Sequence, residues 1–107
     1  MTTIDSNKKI CTLINVFTVA PEKHLELFEL LKRATEEVMC NMPGYISANL
    51  HISDDKKTIT NYAQWESLNN FQNMLKNEDA QKHMKLAASI ATGFSPVTYN
   101  NIWTHEQ

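Results

Sequence analysis

The hydrophobic positions of this chain follow two periods that alternate along its length. Over residues 10–19, 45–52 and 58–65, apolar and β-branched residues are concentrated or alternate with polar ones, which is typical of strands. Over residues 21–41 the apolar side chains recur every three or four positions, which predicts a helix that ends before a Pro-Gly pair. The first part of the chain therefore predicts a strand, a helix and two further strands. Strict alternation in the second strand places Tyr45 on the face opposite Ala48 and Leu50.

The rest of the chain adds one more helical region and one more strand. Ser67 is a favoured N-cap residue for a short helix, and a second helical piece follows it. Gly93 and Pro96 are expected to mark the end of that piece, and the alternation over residues 97–103 predicts a last strand. The order β-α-β-β-α-β is the α+β, ferredoxin-like pattern with an antiparallel sheet.

This pattern places strands one and three side by side in the middle of the sheet. Asn15 on strand one and Asn61 on strand three are then expected to converge beneath the helices. On the opposite sheet face Ile14 and Val16 are apolar, so both faces of strand one are expected to be buried. An apolar sheet face without cover in one chain predicts a symmetric homodimer that packs sheet on sheet.

Composition narrows the class of protein. The 107 residues fit one domain, expected over residues 10–104, and the polar residues 1–9 lack an apolar signal core and are expected to form a flexible tail. The net charge of −2 with dispersed basic residues disfavours nucleic acid, and no apolar run approaches the ~20 residues of a membrane span. Two cysteines outside any CxxC motif are expected to be reduced thiols of a cytoplasmic protein.

The strongest chemical signal is the shared face of Asn61 and Trp65 on the third predicted strand. A carboxamide donates and accepts hydrogen bonds and an indole offers a flat apolar wall, so together they suit a planar aromatic ligand that carries oxygens. An alternative is that Trp65 fills the core and each asparagine bonds a local backbone group. Burial of an unpaired amide costs about 1–3 kcal/mol, so Asn15 and Asn61 each need a partner.

Few other residues or motifs in the sequence suggest a catalytic or ligand-binding role. The histidines have no metal-ligand spacing, although His51 and His83 could reach the interior, and Lys85 is either solvated or placed beside an ionised phenol or enolate. With Gly44 and Gly93 as the only glycines, the chain lacks a GxGxxG dinucleotide fingerprint. No flavin, nicotinamide or metal site stands out, so any redox chemistry is expected to come from the substrate.

The element order, Pro43-Gly44-Tyr45 and the stretch Asn-Tyr-Ala-Gln-Trp-Glu-Ser at residues 61–67 resemble the antibiotic biosynthesis monooxygenase family. The resemblance covers residues 10–103. It implies a dimeric α+β barrel whose pocket oxidises a phenol, anthrone or quinol to a quinone with O₂ as co-substrate and no cofactor. It also implies that Asn61, Trp65 and Asn15 are catalytic.

The same resemblance extends to substrate-binding residues and leaves alternatives open. Phe71, Lys85 and His83 are expected to bind the small aromatic substrate, although some family members carry a tyrosine and an arginine where this chain has Phe71 and Lys85. One alternative is a non-enzymatic dimeric barrel that binds a hydrophobic metabolite. Another is the sister branch that degrades haem, which is disfavoured because Met84 occupies its haem-ligand position and the neighbouring His83 is turned away by about 100°.

Overall fold

A computed structural model describes residues 1–106 and contains four strands and three helices across them. The strands are β1 (Cys11–Thr18), β2 (Tyr45–Ile52), β3 (Thr58–Trp65) and β4 (Gly93–Tyr99). The helices are α1 (His24–Glu37), α2 (Leu68–Leu75) and α3 (Glu78–Ile90), with short 3₁₀ turns at Pro21–Lys23 and Met39–Asn41. This confirms the predicted α+β class and its β-α-β-β-α-β order, in which the second helical region is split into α2 and α3.

The sheet has the order β2-β3-β1-β4 and every neighbouring pair is antiparallel. β1 and β3 therefore lie in the middle, as the sequence predicted. Their register places Asn15 directly opposite Asn61. Residues opposite each other on an antiparallel pair point to the same face with Cβ atoms about 5 Å apart, so the two carboxamides are neighbours.

The last strand lies four residues earlier than predicted. β4 begins at Gly93 and includes Pro96, both of which the sequence pattern placed before the strand. β4 pairs only with β1 and is an edge strand. Proline is tolerated on an edge because its missing N–H removes no interior ladder bond.

A β-bulge at the start of β2 places Tyr45 on the sheet face opposite the predicted one. The strand has the predicted bounds, but its register to β3 shifts between Tyr45 and Ser47. The extra residue brings Tyr45 onto the face of Ala48 and Leu50, whereas strict alternation placed it on the opposite face. Ile46 is left exposed by the same shift.

The helices cover one sheet face and form the core with it. Leu27 of α1 and Ile59 of β3 are fully buried in one apolar cluster, and Trp65 of β3 and Met74 of α2 belong to a second cluster. The two clusters lie toward opposite ends of β3. The space between sheet and helices therefore has packed apolar walls.

The outer sheet face is only partly covered. Residues near the N-terminus reach β2 and β3, where Thr2 Oγ1 donates to Asn49 Oδ1 at 2.9 Å and Gln64 Nε2 donates to the Thr3 carbonyl at 2.8 Å. Whether residues 1–9 are flexible, as expected from their composition, stays a prediction. Toward β4, Val16 is 36% exposed, so the outer face of β1 is not fully covered within a single chain, and its burial by a partner copy stays a prediction.

The remaining sequence expectations concern thiols and membranes. Cys11 and Cys40 are both free thiols, the first buried and the second exposed. Burial raises the pKa of the Cys11 thiol, so that group is a poor nucleophile. Across residues 1–106, no helix combines the length and apolar character needed to cross a bilayer.

Candidate active site: an apolar pocket with paired carboxamides

A cavity of about 450 Å³ lies between the sheet and the three helices. That volume is within the range of pockets that bind small organic molecules. Its lining is mostly apolar and is contributed by all four strands. The lining residues that carry a polar group or an aromatic ring include Asn15, Asn61, Trp65, Tyr45, Phe71, Gln72 and His83.

Asn15 and Asn61 are the polar centre of this cavity. Both line it, and the Oδ1 atom of each is buried without a hydrogen-bond partner anywhere in residues 1–106. Neither oxygen therefore bonds a local backbone group, whereas the other half of that alternative, Trp65 as a core residue, agrees with its burial in an apolar cluster. An amide can turn either its oxygen or its NH₂ group toward a ligand, so the pair can accept from a hydroxyl or donate to an oxyanion.

Trp65 forms the aromatic wall beside these amides. Its side chain is only 2% exposed, and its ring meets Tyr45 edge-on at 5.7 Å between centroids. On its other side Phe71 approaches at 6.4 Å in a tilted, edge-type contact. Three rings in edge-to-face contact fix each other in place, so the indole is held rigidly against the cavity.

Local backbone features explain why these rings meet. Gly44 has a φ of +84°, and a Cβ there would collide with the side chain of Asn70. Its carbonyl accepts from the Glu66 N–H at 2.8 Å, which ties the start of β2 to the end of β3. Ser67 caps α2 as predicted, since its Oγ accepts from the Asn70 N–H, and this cap aims Phe71 at Trp65.

Tyr45 is a pocket residue that the sequence pattern missed. The pattern assigned it to the opposite face from Ala48, and the bulge at Tyr45 and Ser47 moves it to the cavity. The Pro43-Gly44 pair directly before the strand is the sequence signal that could have indicated an irregular strand start. Burial, with a smaller contribution from Cys40, raises the pKa of the Tyr45 phenol, so the hydroxyl stays protonated and is available as a donor near neutral pH.

The structure brings five of the six predicted site residues to the cavity. Asn15, Asn61, Trp65, Phe71 and His83 all line it. Lys85 does not, because it is exposed on α3 two residues beyond His83.

Lys85 misses the cavity because of its angular position around the axis of α3. Each residue turns a helix by about 100°, and the cavity side of α3 is taken by His83, Met84 and Ala87.

His51, which was also expected to be able to reach the interior, is exposed on β2. Its side chain does not line the cavity.

His83 has a defined ring orientation. Its Nδ1 lies 2.9 Å from the backbone carbonyl oxygen of Asp79, one helical turn earlier. The residue is partly buried and lines the cavity. No group of three metal-ligating side chains occurs within the described part of the chain.

Comparison with known proteins identifies a matching family and a similar curated protein. A model of the family described as antibiotic biosynthesis monooxygenase matches residues 10–86. The tetracenomycin-F1 monooxygenase of Streptomyces glaucescens is 41% identical over 91 residues, which are 85% of this chain and 81% of that protein.

Two solved structures share the fold. The ActVA-Orf6 monooxygenase of Streptomyces coelicolor, solved with nanaomycin D, has a TM-score of 0.82 at 24% identity and covers 92% of each chain. SnoaB of Streptomyces nogalater, described as a cofactor-independent oxygenase, has a TM-score of 0.75 at 20% identity. That match covers 92% of this chain and 99% of SnoaB.

Proposed function

Because the chain belongs to the antibiotic biosynthesis monooxygenase family, we propose that it oxidises an electron-rich phenol, anthrone or quinol to a quinone with O₂ and without a cofactor. The observation that carries this proposal is the pair of opposed carboxamides, each with a buried unpaired oxygen, in a cavity walled by Trp65. A polycyclic aromatic that carries hydroxyl or keto oxygens would satisfy both amides and fill the apolar space around them.

The electron balance of this reaction requires no external reductant. When an anthrone methylene becomes a carbonyl, the carbon loses as many electrons as O₂ gains on forming the new carbonyl oxygen and one water. The substrate must first lose a proton, since the resulting anion is electron-rich enough to reduce O₂. The protein therefore needs to stabilise that anion and keep water away from it.

Asn15 and Asn61 are positioned for the first task. In the ionised substrate the negative charge resides on oxygen, and two amide NH₂ groups facing it would stabilise the charge as it develops. Loss of one such donor in other enzymes lowers the rate by about 10²–10³-fold. The packed rings of Trp65, Tyr45 and Phe71 would keep water away from the anion, because they give the substrate a dry aromatic wall.

The relatives support a small-molecule substrate. The relative from Streptomyces glaucescens is a monooxygenase for tetracenomycin F1, and the ActVA-Orf6 structure holds nanaomycin D. Phe71 and His83 are then substrate-binding residues of this chain, because both line the same cavity. Lys85 is not included, since its side chain lies outside it.

The proposal also includes a cytoplasmic homodimer. Val97 and Tyr99 of β4 are 43% and 44% exposed on the outer sheet face, where they lie opposite Ile14 and Thr12 of β1. A second copy packed against this apolar strip would cover it. Light scattering at micromolar concentration tests this, with a dimer expected and a monomer contradicting it.

Incubation of the purified protein with an anthrone and O₂, without added metal, flavin or nicotinamide, tests the function. We expect quinone formation well above the blank, strongly reduced in Asn61→Ala and Trp65→Phe. The chain offers matched controls: Asn73→Ala removes an exposed carboxamide and Trp103→Phe alters an indole that is 83% exposed. Both controls should retain activity.

Two outcomes would replace this function with another. Tight binding of the anthrone without oxygen uptake would identify a binding protein that does not turn over its ligand. A shifted Soret band on addition of haem, followed by haem loss in the presence of a reductant, would identify the haem-degrading branch. Equal activity in wild type, Asn61→Ala and Trp65→Phe would show that this cavity is not the active site.

A further inference from the structure

The cavity contains very few groups that can exchange a proton. Its lining side chains from α1 and α2 carry no charge, and those from the four strands include one titratable group, Tyr45. On α3 the titratable lining group is His83. Since the phenol of Tyr45 is held protonated, it cannot take up a proton near neutral pH.

The hydrogen bond of His83 determines which ring nitrogen is free. The Asp79 carbonyl oxygen can only accept, so the Nδ1 atom 2.9 Å away must carry the proton of the neutral ring. The lone pair of a neutral imidazole is then on Nε2. A ring tethered to its own helix in this tautomer presents a base, and histidine is the side chain that changes charge between pH 5 and 8.

We propose that His83 is the catalytic proton acceptor of this chain, taking the proton from the bound substrate through Nε2. This inference rests on the proposed oxidation, which cannot begin until the substrate is an anion. The Asp79 carbonyl has a second role here, because a backbone acceptor on Nδ1–H stabilises the imidazolium that forms. Asp79 therefore acts through its backbone, and its carboxylate is not required.

The proton and electron steps balance with His83 in this role. Nε2 takes a proton as the substrate C–H bond breaks, and the carbanion then gives one electron to O₂. The resulting radical and superoxide combine to form a C–O bond, and the imidazolium returns its proton to the outer oxygen. Loss of the second C–H proton to Nε2 breaks the O–O bond and forms the carbonyl. The departing hydroxide takes that proton and leaves as water.

Two His83 variants test this proposal through the rate of quinone formation. His83→Gln keeps a polar side chain of similar length without a base, and we expect quinone formation to fall by about 10²-fold or more. His83→Ala should regain part of its activity when imidazole is added, because the removed ring leaves space for it. His51→Gln removes an exposed histidine from the same chain and should be unaffected.

A second measurement tests His83 without turnover. A hydroxyanthraquinone changes colour when its hydroxyl ionises and has no methylene to oxidise, so it reports proton transfer in the pocket. In wild type and His51→Gln we expect the bound dye to ionise at lower pH than in His83→Gln, by one unit or more, which corresponds to about 1.4 kcal/mol.

The outcomes separate the two proposals. Failure of the wild-type protein to oxidise any anthrone would overturn the proposed function, while the dye titration would still decide the role of His83. Equal dye midpoints in wild type and His83→Gln would overturn the role of His83. The same conclusion would follow from undiminished turnover in His83→Gln.

Discussion

Carboxamide side chains lie on both faces of the sheet, and the two faces treat them differently. On the outer face Gln64 is 2% exposed, and its amide donates to the Thr3 carbonyl and accepts from Ser47 Oγ. Asn49 donates to the Tyr62 carbonyl and accepts from Thr2 Oγ1.

The helix-covered face carries the opposite arrangement. Asn15 and Asn61 have buried oxygens without partners in residues 1–106. Buried polar groups are normally satisfied, and an exception calls for an explanation. The outer amides are thus satisfied within the chain, and the unpaired inner oxygens fit the proposal that Asn15 and Asn61 bind a ligand.

The largest expected difference between the faces is in activity. Asn15→Leu should lower anthrone oxidation by about 10²–10³-fold, because it removes a donor to the developing oxyanion. Asn49→Leu removes a carboxamide from the other face and should retain most of the activity. Steady-state quinone formation measures both, provided that each variant is shown to be folded. Comparable losses in the two variants would remove the distinction.

A smaller expected effect concerns the stability of the outer face. Gln64→Leu should lower the free energy of unfolding by about 1–3 kcal/mol, since the Ser47 hydroxyl and the Thr3 carbonyl lose their buried partner. Urea denaturation monitored by circular dichroism gives this value. An unchanged midpoint would mean that these hydrogen bonds, and the placement of residues 2–3 on the sheet, contribute nothing to stability.

Removal of an inner-face amide should raise the free energy of unfolding, whereas removal of the outer-face amide of Gln64 should lower it. Asn61→Leu replaces an amide that has an unsatisfied buried oxygen by an apolar side chain of similar size next to a cavity. We expect the unfolding free energy to rise by about 1 kcal/mol while activity is lost. Destabilisation comparable to that of Gln64→Leu would show that Asn61 has a structural partner.

The smallest expected effect is in the turn between β2 and β3, away from both groups of amides. Hydrogen bonds from the Ser53 hydroxyl and then the Lys57 N–H lower the pKa of Asp55. Its ionised form therefore favours the folded state above the ordinary aspartate pKa of about 4, and this contribution is lost as the pH falls through the lower folded value. Asp55→Asn should flatten the acid limb of a stability–pH curve slightly, without affecting activity. A steeper acid limb would contradict this.

The sequence predicted most of the fold because its strongest signals are local. β2 and β3 have the predicted bounds, and the shared face of Asn61 and Trp65 follows from strand periodicity alone. β4 was misplaced because Pro96 is a breaker by composition and is accepted only because this strand is at the edge. That fact depends on the tertiary structure.

The candidate site was predictable to the same extent. Asn15 and Asn61 could be paired from the sheet order, which the element order determines. Tyr45 could not, because one bulge reverses its face, and Lys85 was misplaced because the phase of α3 is set by which side chains pack. The lack of partners for the two inner amide oxygens is a property of the tertiary structure, since the sequence does not show which groups a carboxamide contacts.

The decisive experiment is oxidation of an anthrone under ¹⁸O₂ with neither reductant nor cofactor added. We predict that wild-type protein forms a quinone whose new carbonyl carries one labelled oxygen, and that Asn61→Leu, although folded, forms it about 10²–10³-fold more slowly. Product without label, product that requires an added flavin or nicotinamide, or equal labelled product from Asn61→Leu would contradict this prediction.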